Sequence, residues 1–197
     1  MKDWTGNSRS SLATIGARNF TLTERETNDY YATEPKALEL LLDRETFSPR
    51  VWECACGEGH LSKVLEARGY EVKSTDLIDR GFGESGVDFL KCTEPWDGDI
   101  ITNPPYKWGK EFVAKALELI PEGRRAAFFL KVQFLESVGR RKLFDASPPR
   151  KIVVSSNRLH CAINGNWEIG MRNNAVSYAW FIWEKGYKGK PEIEWFN

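Results

Sequence analysis

The feature that most constrains the fold is a change of hydrophobic period that recurs along the chain. Residues 51–54 (Val-Trp-Glu-Cys) form a short apolar run, Ala55-Cys56-Gly57-Glu58-Gly59-His60 interrupts it with two glycines, and an amphipathic segment follows over 61–68. That is a strand, a tight turn and a helix. The alternation continues: strands are expected at 71–75, at or just before Val87, at 99–102, 126–132, 152–155 and 176–183, and helices at 33–44, 110–119 and 138–144. The first helix carries Pro35 in its opening turn, where a missing amide hydrogen costs nothing. Strands alternating with amphipathic helices predict an α/β fold, a mostly parallel seven-stranded sheet with helices on both faces. The last connection, residues 157–174, has glycines and asparagines instead of an apolar helical face. The final strand is therefore expected to run antiparallel, after a long loop of the kind that usually serves function.

Length and composition fit one such domain. The chain has 197 residues, 41% of them hydrophobic, enough for a folded core. The stretch 1–29 is polar and aperiodic and reads as an N-terminal arm, leaving 30–197 as the domain. No apolar run approaches the roughly 20 residues a membrane span needs, and the start lacks the apolar core of a secretory signal, so a cytoplasmic protein with no membrane partner is expected. The four cysteines, Cys54, Cys56, Cys92 and Cys161, do not show zinc-ribbon or thioredoxin spacing, and His60, His160 and Cys161 are too scattered to complete a metal site. They are read as reduced thiols, and no metal is expected. Lysine plus arginine equals aspartate plus glutamate at 28 each, so only local clusters of charge can indicate a partner.

In an open parallel sheet, ligands bind beyond the carboxyl ends of the strands, and the notable residues fall at such ends. Gly57 and Gly59 follow the first strand of the sheet, where absent side chains let a ligand approach the backbone and the next helix offers free amides. Asp76 stands 19 residues after Gly57 at the end of the next strand, a position suited to the two hydroxyls of a ribose. Asp88 and Phe89 follow the third strand and suit an adenine amino group and ring. Each has a plain alternative as a turn, a cap or a core residue; their order and placement together point to a nucleoside ligand.

The fourth strand opens into Asn103-Pro104-Pro105-Tyr106. Successive prolines lack amide hydrogens and fix the backbone, so the Pro104 carbonyl becomes a rigid acceptor beside the Asn103 side-chain oxygen. Two acceptors can hold the two hydrogens of one planar amino group, turning its delocalised lone pair toward an electrophile, while Tyr106 stacks on the plane. Positioning and electrostatics then supply most of the rate, with no nucleophilic residue.

The segments 31–35 (Tyr-Ala-Thr-Glu-Pro), 51–59 and 103–106 resemble the cofactor and catalytic motifs of adenine-N6 DNA methyltransferases, in an order similar to the gamma arrangement, and the short chain resembles phage or prophage-type orphan members. The resemblance implies a Rossmann-like class I methyltransferase fold and S-adenosylmethionine as cofactor. It implies a cofactor site of Tyr31, Thr33, Glu53, Cys54, Ala55, Gly57, Gly59, Asp76, Leu77, Asp88, Phe89 and Asn103, and a catalytic site of Asn103, Pro104, Pro105 and Tyr106. Glu53 and Gly57 would line the methionine part. The implied partner is DNA with its target base flipped out. Candidates to hold it are Lys107, Trp108, Arg140, Arg141, Arg158, Trp167 and Arg172, with Arg124, Arg125, Lys142, Arg150 and Lys151 as further basic groups. The 197 residues are expected to hold no separate target-recognition domain, and the loop 157–174 is expected to take its place. The same tetrad occurs in RNA adenine and protein glutamine methyltransferases; a non-catalytic cofactor- or DNA-binding module is the remaining alternative.

Overall fold

The structure, a computed structural model, describes residues 31–157, 159, 161–163 and 176–196. The arm 1–29, most of the loop 157–174, and Arg158, Trp167 and Arg172 within it lie outside the described residues.

In chain order the elements are β1 (Tyr31–Thr33), α1 (Pro35–Leu42), β2 (Arg50–Glu53), α2 (His60–Ala67), β3 (Glu71–Ser74), β4 (Asp99–Thr102), α3 (Gly109–Leu119), β5 (Arg125–Lys131), α4 (Val138–Ala146), β6 (Lys151–Ser155), β7 (Cys161–Ile163), β8 (Tyr178–Glu184) and β9 (Glu192–Phe196). Seven of the strands form one sheet in the order β3-β2-β4-β5-β8-β6-β9. β8 is antiparallel to both its neighbours; the other pairings are parallel. The expected mostly parallel sheet and its antiparallel strand at 176–183 are thus present.

The central strands are apolar throughout because both faces are covered. Along β5, Ala127 and Phe129 point to one side with Trp180 and Ile182 of β8; Ala126, Phe128 and Leu130 point to the other with Ala179, Phe181 and Trp183. The first face is covered by Leu38 and Leu41 of α1 and Leu61 and Leu65 of α2, the second by Phe112, Val113, Ala116 and Leu119 of α3. Helical spacing of three and four residues places these side chains on one stripe. The buried indoles are satisfied: Trp180 donates to the Ala37 carbonyl at 2.8 Å and Trp183 to the Ser147 carbonyl at 3.0 Å.

Three expectations need correction. The predicted strand near Val87 is an isolated bridge, Thr75 to Glu84, followed by a 3-10 turn over Phe89–Lys91. Its place in the count is taken by β9, an edge strand parallel to β6. The segment 157–174 also contains a strand: β7 pairs antiparallel with β1, joining Thr33 to Cys161 and Tyr31 to Ile163.

At the amino ends of the strands a buried carboxylate, Glu45 (8% exposed), binds Lys151 at 2.6 Å and Arg125 at 3.3 Å. Lys151 also meets Glu194 of β9, and Arg150 meets Glu184 of β8. Arg124 pairs with Asp97 at 3.0 Å. Arg124, Arg125, Arg150 and Lys151 are among the basic groups that the sequence offers as phosphate contacts. They start β5 and β6, at the end opposite the strand termini where ligands bind, and their charges are taken up by carboxylates. No helix among the described residues is long and apolar enough to cross a membrane.

Candidate active site

A cavity of about 470 Å3 opens at the carboxyl ends of β2, β3 and β4. Its volume lies within the roughly 300–1,000 Å3 of small-molecule and cofactor sites. Of the sequence-predicted residues, Tyr31, Thr33, Glu53, Cys54, Ala55, Asp76, Leu77, Asp88, Asn103, Pro104 and Pro105 line it, and Lys107 and Trp108 stand at its wall.

The glycines shape the turn without lining the cavity. Gly57 (φ 56°) and Gly59 (φ 78°) have left-handed backbones. A Cβ on Gly59 would meet the Phe82 ring at 2.5 Å, so its hydrogen lets the 76–87 segment close over the turn. Asp76 ties that segment to the turn: its carboxylate accepts from the Gly57 amide at 2.8 Å and the Ile78 amide at 2.9 Å. Each oxygen keeps a lone pair for a ligand hydroxyl.

Glu53, at the end of β2, is 2% exposed. It accepts from the Ser62 hydroxyl, to which Ser74 donates in turn at 2.7 Å. Burial pushes its carboxyl up to about 8, against the opposing effect of the Ser62 bonds and with help from the negative charge of Asp76. The thiols beside it stay protonated: burial raises Cys54 well above its ordinary value and Cys56 to about 12. Among the described residues no group of His, Cys, Asp and Glu is arranged to hold a metal ion.

At the 3-10 turn Asp88 caps the Leu90 amide at 3.1 Å and pairs with Lys91 at 3.0 Å. Phe89 is 2% exposed and packs edge-on against Trp52 at 5.2 Å. It belongs to the core, and the neighbouring Leu90 lines the cavity with Ile78, Val87 and Phe112.

Asn103 is held by β1. Its Nδ2 donates to the Tyr31 carbonyl at 2.9 Å and to the Thr33 hydroxyl at 2.8 Å. A backbone carbonyl can only accept, so these bonds fix which end of the amide is nitrogen. The opposite atom, Oδ1, is buried with no hydrogen-bond partner among the described residues. Such an atom costs about 1–3 kcal/mol unless a further donor satisfies it.

Tyr106 does not line the cavity. Its hydroxyl lies 3.4 Å from the Cys161 thiol, and its ring packs on Tyr31 at 5.0 Å and Tyr178 at 5.9 Å. Burial drives its phenol, and that of Tyr178, above the ordinary range. Lys131, at the end of β5, lies 4.7 Å from the centre of the Tyr106 ring and 5.7 Å from that of Tyr31. Trp108 is 44% exposed, with Lys107 over its ring at 5.0 Å. Arg140 is turned inward, donating to the Gln133 and Glu136 carbonyls over the Phe134 ring, and Arg141 pairs with Asp145 at 2.7 Å.

Sequence reading missed Ser62, Leu90, Lys131 and Cys161. Ser62 alone left a signal, a polar residue on the buried stripe of α2.

No protein-family model matches the chain, and no curated protein matches it by sequence. Among solved structures it is similar to a protein of Pyrococcus horikoshii provisionally described as an RNA methyltransferase, with a TM-score of 0.57, 14% identity, and 90% of this chain and 98% of that one covered. It is similar to a Listeria monocytogenes protein provisionally described as a class I S-adenosylmethionine-dependent methyltransferase, with a TM-score of 0.56, 14% identity and coverage of 96% and 71%. It is also similar to the 23S rRNA methyltransferase ErmE, with a TM-score of 0.54, 17% identity and coverage of 82% and 71%. At such identities the likeness is one of architecture: the chain has the fold of the class I S-adenosylmethionine-dependent methyltransferases.

Proposed function

We propose that this protein transfers the methyl group of S-adenosylmethionine to the N6 amino group of adenine in DNA. The observation that carries the reading is the buried Oδ1 of Asn103, without a partner among the described residues, oriented by the Tyr31 carbonyl and Thr33 hydroxyl and set before Pro104 at the cavity. An acceptor left open at that cost is suited to an incoming N–H donor.

The cavity fits the cofactor in size and donor set. Asp76 has lone pairs for ribose hydroxyls, Leu77, Ile78 and Leu90 give apolar surface for an adenine ring, and Glu53 is an acid placed for an ammonium group. When bound, the sulfonium supplies an electrophilic methyl group. Asn103 Oδ1 and the Pro104 carbonyl accept the two hydrogens of the target amino group and turn its lone pair toward that methyl. The proton lost after transfer passes to solvent, and no covalent enzyme intermediate is required. Tyr106 offers its ring to the flipped base, which then replaces one of the tyrosines that now covers it.

RNA is the second reading, favoured by two of the structural relatives being described as acting on RNA. The test is methyl incorporation into unmethylated DNA, RNA and protein, with digestion and mass spectrometry of the product. N6-methyladenine in DNA is expected, abolished by Asn103→Ala with cofactor affinity nearly intact, because that residue acts on the transition state. Methyl groups on cytosine or glutamine, or full activity of Asn103→Ala, would overturn the assignment.

A further inference from the structure

The 3-10 turn after Pro105 sends its two rings to different sides. Such a helix has three residues per turn, so Tyr106 and Trp108, two apart within Tyr106–Trp108, leave it in different directions. Tyr106 packs into the protein against Tyr31 and Tyr178. Trp108 is 44% exposed and lines the same cavity as Lys107, Asn103 and Pro104. Its backbone is fixed. The Trp108 amide donates to the Pro105 carbonyl at 2.8 Å, and a Cβ on the next residue, Gly109, would come within 3.3 Å of the Phe134 ring. The indole is thus held in place before any ligand arrives. Trp52, Trp96, Trp180 and Trp183 each donate their indole N–H within the protein, whereas Trp108 donates to no group among the described residues. Over its ring, at 5.0 Å, lies the ammonium of Lys107, which is exposed and meets no carboxylate among the described residues. A ring and a cation side by side match a strand that alternates planar bases with phosphates. Turning a base out of a duplex leaves the base beside it without one stacking partner. An indole fixed at the wall of the receiving cavity can take that partner's place.

We propose that Trp108 stacks on the base next to the target adenine while Lys107 pairs with a phosphate of the same strand, so that the two side chains hold the gap left by the flipped base. The inference rests on the DNA adenine reading above and adds to it a contact with the neighbouring nucleotide.

The experiment uses the full chain and its Trp108→Ala, Trp108→Phe and Lys107→Met variants, with duplex DNA oligonucleotides carrying a site mapped from the wild type's own methylated product. Two further duplexes lack the base on one side or the other of the target adenine. Trp108→Ala should weaken oligonucleotide affinity by about 5- to 150-fold, the usual worth of one stacked base, and Trp108→Phe should recover most of it. On one of the two abasic duplexes the wild type and Trp108→Ala should bind alike, because the base that the indole meets is gone. Lys107→Met should lower the slope of log affinity against log salt by about 0.9. Affinity for S-adenosylmethionine should be unchanged in all three variants, which also shows that each is folded. A Trp108→Ala deficit of full size on both abasic duplexes overturns the stacking role, as does a loss of S-adenosylmethionine affinity as large as the loss of oligonucleotide affinity. An unchanged salt slope in Lys107→Met overturns the phosphate contact. A wild type that methylates no DNA overturns the adenine reading and this inference with it.

Discussion

Replacing Glu53 by glutamine should change how stability depends on pH. The Glu53 carboxyl is 2% exposed and held at about 8 by burial, whereas in the unfolded chain it returns to the ordinary value of 4.5. Between those values the native state keeps a proton that the unfolded state has released. Stability from this group is therefore full below about pH 4.5 and falls as pH rises toward 8. The slope is at most about 1.4 kcal/mol per pH unit, reached near pH 6 and smaller toward either value, which accumulates to roughly 3–4 kcal/mol from pH 5 to 8. Glutamine keeps a polar partner for the Ser62 hydroxyl and removes the titration. Glu53→Gln should thus gain on the wild type steadily over that range, reaching roughly 6–12 °C in melting temperature at pH 8 for a domain of this size. Thermal melts of the ligand-free protein at four pH values and constant ionic strength measure it, since carboxylates remote from Glu53 contribute equally to both proteins. Two profiles that stay parallel from pH 5 to 8 would refute the claim that Glu53 is protonated in the fold.

S-adenosylmethionine at a hundredfold excess over its Kd should stabilise the protein by about 2.7 kcal/mol, read as a thermal shift of roughly 5–10 °C. Asp76→Ala should weaken that binding by about 1.5–3 kcal/mol by titration calorimetry; unchanged affinity would mean the carboxylate serves only the Gly57 and Ile78 amides. Gly59→Ala should cost about 1–3 kcal/mol in urea unfolding, from its positive φ and the clash with Phe82, and the loss should shrink when Phe82 is also alanine.

The strand, glycine turn and helix at 50–67 were legible because hydrophobic period and turn chemistry are local properties. The third strand was misread for the same reason: Val87 follows a run of glycines that supplies turns and too few apolar residues for a ladder, and only Thr75 and Glu84 form a bridge. β9 was missed because its Ile193 and Trp195 are exposed on an edge strand, so it lacks the apolar run of β5 or β8. β7 is three residues long and exists through its pairing with β1, far away in the chain. The site shows the same division. Asn103 was identifiable from its proline neighbours, but the bonds that orient it come from Tyr31 and Thr33, some 70 residues away. Nothing near Tyr106 announces that its hydroxyl meets Cys161 or that Lys131 covers its ring. Such partners are set by strand order, which the chain determines only when the whole sheet closes.

That order also bears on how the protein is made. β8 is inserted between β5 and β6, so two strands are separated in the sheet by one synthesised after both. Until residues 178–184 leave the ribosome, Phe128 and Phe129 have no Trp180, Phe181 or Trp183 to pack against, and β6 has no hydrogen-bonded link to the rest of the sheet. The nascent chain must therefore carry an open apolar edge from the completion of β5 until β8 emerges, a state prone to mispairing with other chains. Completion of the core waits on β8, and a ribosome stalled short of it would hold a chain in which β6 is made but not joined to β5.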